Sequence, residues 1–515
     1  MKKLILIITM IFVLSACKNI DFGDYNKNPL GPNEIEPVGL FSGGVLNYFN
    51  NSGRSYLSKP GFYVQWMTQN QYTSEMQYAD AAVNWSPWFI GVLSNFKQNL
   101  DYLQANYEDS KWNGLGGVDN LIAVNKIMYA FVFKHLTDTY GSIPYSEALN
   151  PDILAPKYDN QIAIYTDPEH GLIKMLQDAR DMLSPGAYPI AGDVVFNGNA
   201  SKWRKLANSL IMNFALQLSE VNDANIQSYI KAAFNDALAD GPMTSVSHDA
   251  WINFYDYSRA YQNPWTRLRK RDYFLSLQLT DALKGVPRST VVRDRSPIYN
   301  HSLDFRLFII ADDPSADGKN YIYHSRLTPD ENGEAQFSSR IWNPNAPLPF
   351  FLSAWTYLDR AEAAARGWSE VGDFDNLLAQ AISNSYKTLS VHYGLDISSY
   401  ADDFAAARVA DANDPNYGDP NITNNKLEVV AEEKWVSYFP STFLGWSQWK
   451  RLDIPVLIPH SSPYNAANPE TGQVIPVRYK YPNTESTQNP EGYQAGVNDL
   501  LPAVDANTSH VPWDR

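Results

Sequence analysis

Cysteine is nearly absent from the 515 residues, with Cys17 the only one. That excludes an internal disulfide framework, a cysteine-based zinc site and Cys–His catalysis in the body of the protein. Histidine is also sparse. His135, His170, His248, His301, His324, His392, His460 and His510 are scattered, and none falls in a His-Glu-x-x-His pattern. There is no Gly-x-Ser-x-Gly elbow and no phosphate-binding glycine loop. Glycosidase carboxylate pairs leave no comparable trace, because their spacing exists only in the folded chain. Positive charge is in deficit: 41 Lys and Arg stand against 56 Asp and Glu, for a net charge of −15. This acidity argues against nucleic acid or an anionic membrane surface as a partner. The 44% hydrophobic and 19% charged content is that of a globular chain.

The amino terminus has its own pattern. Lys2 and Lys3 precede an apolar run from Leu4 to Leu14, interrupted only by Thr9. The run is too short to span a bilayer and reads as a secretory signal over residues 1–16. Leu14-Ser15-Ala16-Cys17 matches the bacterial lipobox. That match implies cleavage before Cys17 and lipid attachment to it, with acyl chains anchoring the protein in a membrane. Residues 17–37, rich in Asn, Pro and Gly, read as an extended tether. The remainder, 38–515, is expected to form a single domain.

Helical periodicity dominates that remainder. Between Leu348 and Leu395, Leu352, Trp355 and Leu358 mark one stripe, and Leu378, Ile382, Tyr386 and Leu389 mark a second. Asp373 is a candidate N-cap, and Gly367 and Gly394 are candidate C-terminal stops. Ala361, Ala363, Ala364, Ala365, Ala379 and Ala381 would let the two helices approach closely. Together with similar patterns elsewhere, this predicts a mainly α fold. It has about four tetratricopeptide-like hairpins, near 87–140, 161–221, 350–393 and 426–450. Long irregular segments pack against them, and strands are few and short. The stretches 244–299, 312–349 and 402–425 read as loop-dominated.

Aromatic residues are abundant, with 14 Trp, 32 Tyr and 23 Phe. Two clusters lie among amides and charges without a clean helical stripe. The first contains Asn70, Tyr72, Trp85 and Trp88, and the second Tyr255, Tyr257, Tyr261 and Trp265. Such rings can stack on a sugar face or a peptide side chain while neighbouring amides fix hydroxyls. Asp313, Ser315, Asp317 and Gly318 match the opening of a calcium loop. Its closing position holds His324 rather than a bidentate Glu, so a solvated polar turn is expected. Glu362, inside the first helix of the 350–393 hairpin, is expected to make a structural hydrogen bond or face solvent.

Several phrases together resemble the SusD/RagB family of nutrient-binding outer-membrane lipoproteins, in its second, SusD-like subgroup. They are "YNKNPLGPNE", "LTDTYGSIPYSEALNP", "PKYDNQIAIY", "WRKLANSLIMNFALQLSEV", "FFLSAWTYLDRAEAAARGW", "ISNSYKTLSVHYGL", "WSQWKRLDIPVL" and the terminal "HVPWDR". They occur in family order over nearly the whole chain. The resemblance implies a SusD-like fold and a non-enzymatic, lipid-anchored protein at the outer membrane, facing the cell exterior. It implies no cofactor, and a SusC-like TonB-dependent transporter as partner. The cargo would be an oligomeric nutrient, an oligosaccharide, with an oligopeptide as the alternative. It would be held in a shallow aromatic arc built from an early loop and the irregular central region. A surface glycan hydrolase and a peptide-binding repeat scaffold are the rival readings. The first requires two facing carboxylates in the deepest cleft, and the second a groove lined by the repeats themselves.

Overall fold

Asp373 and Gly394 bracket a helix for physical reasons that the structure makes explicit. In a computed structural model, the described residues are 36–51, 54–71, 73–79, 83–288, 296–299, 302–318, 335–368, 370–459 and 474–514. The Asp373 carboxylate accepts from the Asn376 amide at 3.0 Å, satisfying one of the unpaired N–H groups at the start of Phe374–Tyr393. Gly394 ends that helix at φ +66°, a conformation that costs glycine little. The preceding helix, Ser353–Ala365, packs along it. Trp355, Leu358, Leu378, Ile382 and Tyr386 are buried between these helices and their neighbours, with buried Ala361, Ala363 and Ala381.

Pairwise packing continues outward from this hairpin. Ser353–Ala365 also meets Ala200–Gln217 and Asn425–Ser437, and Phe374–Tyr393 meets Ala401–Asn413. Val118–Tyr140, almost wholly buried, packs against Ser94–Ala105 on one side and Leu172–Met182 on the other. Residues 38–515 make one compact unit. Strands are short: Met67–Gln69 pairs with Tyr273–Leu275, Ile143–Pro144 with Tyr158–Asp159, and Ala250–Ile252 with Leu348–Phe351, all antiparallel.

Three long helices lie outside the predicted hairpins. Pro37–Asn51 is a helix that the sequence reading left unassigned. Ala224–Asp240 adds another, capped by Asp223. Ala401–Asn413 is helical within a stretch read as loop; its many Asp and Ala residues give little apolar contrast between faces. The expected hairpin near 426–450 is present as Asn425–Ser437 and Thr442–Leu452, separated at Pro440, which has no N–H to continue the ladder.

Glu362 lies at the centre of a buried ionic cluster. It accepts from Arg451 at 2.5 and 2.8 Å, from Lys434 at 2.5 Å and from Arg366 at 2.8 Å. Lys434 also reaches Asp359 at 2.6 Å. Through Gln448 and Gln217 the cluster approaches Lys134, which pairs with Asp138 at 2.5 Å. Asp138 in turn accepts from Ser447, Tyr165 and Trp513. Buried charges are tolerated only when paired in this way. The cluster ties Val118–Tyr140, Ala200–Gln217, Ser353–Ala365, Asn425–Ser437 and Thr442–Leu452 into one frame.

His392 stacks on Trp251 at 4.0 Å with rings 14° apart. Burial pushes its imidazole down to about 4. A histidine lowered in this way favours the native state above its unfolded value of 6.5, and the benefit is lost as pH falls from there towards about 4. Thermal melts should therefore show the wild-type midpoint dropping across that window. His392→Phe should show a smaller drop, and an identical profile in the two proteins would contradict the assignment.

Candidate ligand-binding groove

Where Ala250–Ile252 leaves its pairing with Leu348–Phe351, the chain turns outward and carries three tyrosines. Tyr255, Tyr257 and Tyr261 are 57%, 69% and 39% exposed, unusual values for large rings. Tyr257 and Tyr261 stack at 4.8 Å with rings 28° apart, and Tyr255 lies 6.4 Å from Tyr257. The loop is held in place. The Tyr255 amide donates to the Tyr261 carbonyl at 2.9 Å, and the Asp256 amide to Asn345 at 2.7 Å. Arg267 donates to the Asn50 carbonyl at 2.7 Å, to the Asn50 side chain, and to the Arg259 carbonyl at 3.3 Å. This ties the base of the loop to the end of Pro37–Asn51.

The rings face a groove of about 540 Å³. Gly39, Ser42 and Gly43 of Pro37–Asn51 form one wall, at the three- and four-residue spacing of a single helical face. Asp193, Val194 and Asn197 form another, and Val45, Leu46, Ile252 and Asn253 add to the lining beside the tyrosines. Asp193 organises its own loop, accepting from the amides of Val195, Phe196 and Gly198 and from Trp203 Nε1 at 2.8–3.0 Å. It is the one carboxylate among the described lining residues, and its oxygens are already engaged. Desolvation and the adjacent Tyr261 raise the Tyr257 phenol above its ordinary value, so it stays protonated at neutral pH. The groove is thus furnished with ring faces, amides and hydroxyls, which serve stacking and directional hydrogen bonding.

Gly43 and Gly44 are neighbours with opposite duties. A Cβ on Gly43 would meet nothing within 4 Å, whereas one on Gly44 would lie 2.7 Å from the Phe96 ring. Gly43→Ala should therefore stabilise the helix by up to ~1 kcal/mol. Gly44→Ala should destabilise by ~1–3 kcal/mol through overpacking. Urea unfolding of the two variants checks this; equal effects would contradict it.

The sequence-predicted residues divide sharply. Tyr255, Tyr257 and Tyr261 come together in the groove. Trp88 has no exposed surface and lies against Tyr48 and His135, at 5.4 and 4.4 Å. Trp265 is likewise fully buried, beside Phe337 and Trp342 at 5.2 and 5.3 Å. Both are corrected to core packing, since a ring covered by protein offers no face to a ligand. Trp85 is 5% exposed and packs on Tyr140 at 5.1 Å; it borders a separate hollow of about 240 Å³. Asn70 follows the Met67–Gln69 strand, its amide bonded to the Asp272 carbonyl, and does not line the groove. Tyr72 lies outside the described residues, as do Cys17 and His324. Asp313 accepts from Ser315, and Asp317 from Lys284, at 2.6 and 2.8 Å. The reading missed the Gly39, Ser42 and Gly43 wall. In the sequence this wall shows only as small residues at helical spacing, followed by Val45 and Leu46.

A frame of helical hairpins thus bears an open aromatic groove with a single carboxylate among its described lining residues, Asp193, held by its own loop. The family model for SusD-like proteins, described as starch-binding associating with outer membrane, matches residues 29–482, and the chain belongs to this family. Its members are outer-membrane-associated nutrient-binding proteins. Among solved structures, a chitin-binding protein is similar at 23% identity and TM-score 0.71, covering 93% of this chain and 100% of that one. An outer-membrane protein of Bacteroides vulgatus has 21% identity and TM-score 0.71, with the same coverage. A SusD homologue from Parabacteroides distasonis has 20% identity and TM-score 0.71, over 93% and 97% of the two chains. At these identities the likeness is one of fold. No curated protein matches the chain by sequence.

Proposed function

We propose that this protein captures a neutral oligosaccharide in the tyrosine groove and delivers it to a SusC-like TonB-dependent transporter. The observation carrying the reading is the array of Tyr255, Tyr257 and Tyr261, exposed yet fixed, above a groove rimmed by amides and hydroxyls. Sugar rings offer C–H faces to stack and hydroxyls to fix, and binding must stay modest so that cargo can be released. Starch in the family description and chitin in one relative's name support a glycan over an oligopeptide. In this reading residues 1–16 are removed, Cys17 is lipidated, and 17–37 tether the 38–515 domain to the outer surface of the outer membrane. There it acts as a lid on the transporter.

Calorimetry on the chain from Lys18 onward, with maltooligosaccharides, chitooligosaccharides and a peptide panel, tests the cargo. Saccharide binding with intact sugar recovered afterwards sustains the proposal. Binding of peptides alone would replace the cargo, and cleaved sugar would replace the non-enzymatic role. Palmitate labelling that survives in Cys17→Ala would overturn the anchor, and failure to co-purify with the transporter would overturn the partner.

A further inference from the structure

A second cleft lies away from the tyrosines. Val118–Tyr140 forms its floor, and Ser94–Ala105 and Leu172–Met182 form its walls. It encloses about 470 Å³ and shares no lining residue with the tyrosine groove.

Its floor carries two polar groups with nothing to bond. Tyr129 is only 7% exposed, and its ring is fixed edge-on against Phe133 at 4.8 Å. Its hydroxyl has no hydrogen-bond partner among the described residues, although it lines the cleft. Tyr145, also edge-on to Phe133 at 4.8 Å, gives its hydroxyl to the His170 carbonyl. The difference between the two phenols is therefore one of partner, not of burial. Lys126, three residues before Tyr129 and on the same helical face, also has no ion-pair partner among the described residues. The Tyr129 ring is buried while its hydroxyl opens on the cleft, so that group is available to a ligand entering from solvent.

The walls supply the complementary chemistry. Asp101, Asp178 and Glu169 line them as acceptors. Asp101 is paired with Lys97 at 2.7 Å and Asp178 with Lys174. An anionic ligand would meet three carboxylates, and a cationic one would meet Lys97 and Lys126. A hydroxyl is both acceptor and donor, so a polyol can take the floor's donors and offer protons to the walls.

We infer that this cleft is a second saccharide site, taking a neutral sugar unit against Tyr129 and Lys126. Two sites on one protein would raise the apparent affinity for a chain long enough to reach both without tightening either site. The inference extends the glycan reading, but its test can be separated from that reading.

Crystals of the protein would be soaked in turn with maltose, cellobiose, chitobiose and a glucuronate-containing disaccharide. The expected result is a neutral disaccharide in the cleft, within hydrogen-bond distance of Tyr129 Oη. In solution, Tyr129→Phe keeps the ring and should weaken that site about three- to tenfold, leaving the tyrosine groove unchanged. A cleft holding only water, a cleft taking only the glucuronate, or an unaltered affinity in Tyr129→Phe overturns the inference. An occupied cleft beside an empty tyrosine groove sustains it and counts against the groove.

Discussion

Replacing Tyr257 and Tyr261 together by alanine lowers saccharide affinity by about 30- to 100-fold and leaves the unfolding midpoint essentially unchanged. Each ring in a stacked arrangement contributes ~0.5–1.5 kcal/mol beyond the area it covers, or ~1–3 kcal/mol for the pair, and the covered area brings the loss to ~2–3 kcal/mol. The cost to the fold is small because Tyr257 and Tyr261 are 69% and 39% exposed. The bond that closes the loop runs from the Tyr255 amide to the Tyr261 carbonyl, both main-chain groups that alanine retains. Tyr257→Phe separates the two contributions. It keeps the stacking face and loses the hydroxyl, so only a severalfold loss is expected. Calorimetry and thermal melts on the same preparations decide the matter. Unchanged affinity in the double variant would remove the groove from the binding surface. A collapsed melting transition would mean that the loop is structural.

Glu362→Ala has the largest expected effect on stability, a loss of ~3–5 kcal/mol in urea unfolding at pH 7. The side chain is fully buried, and its removal leaves the buried Arg451 without a carboxylate partner and takes one of two from Lys434 and Arg366, which keep Asp359 and Glu220. Burial alone would raise the Glu362 carboxyl, but those three cations outweigh it and hold the group well below the usual 4.5. A carboxyl lowered on folding favours the native state above its unfolded value, and the benefit fades as pH falls from about 4.5 towards the folded value. Glu362→Gln should therefore be destabilised at pH 7 and lose less on acidification below 4.5 than the wild type. A loss under ~1 kcal/mol in Glu362→Ala would mean that water reaches the cluster.

The frame was more legible in sequence than the site, and the ionic cluster explains why. "LTDTYG" contains Asp138, "AWTYLDRAEAAARGW" contains Asp359, Glu362 and Arg366, and "WSQWKRL" contains Gln448, Lys450 and Arg451. In the structure these phrases meet, down to Trp513 of the terminal "HVPWDR" on Asp138. A buried charge needs a specific partner at a specific place, so it leaves fixed wording. Stacking surfaces impose no such wording. Trp88 and Tyr257 look alike in sequence, but one is sealed beside His135 and the other stands in solvent. The helix Ala401–Asn413 was missed because Arg408, its fully buried cation, is masked by a polar surrounding sequence. Only the folded chain reveals its partners Glu432 and Glu433.

The groove is assembled from a helix face at 39–43, a loop at 193–197 and a strand exit at 252–261, none of which contributes a residue to the Glu362 cluster. Cargo preference and foldedness are therefore separable heritable traits. Substitutions around the rim leave the ionic frame untouched, so the groove can vary while the architecture holds. A TM-score of 0.71 at 23% identity shows the same fold carried by largely different residues.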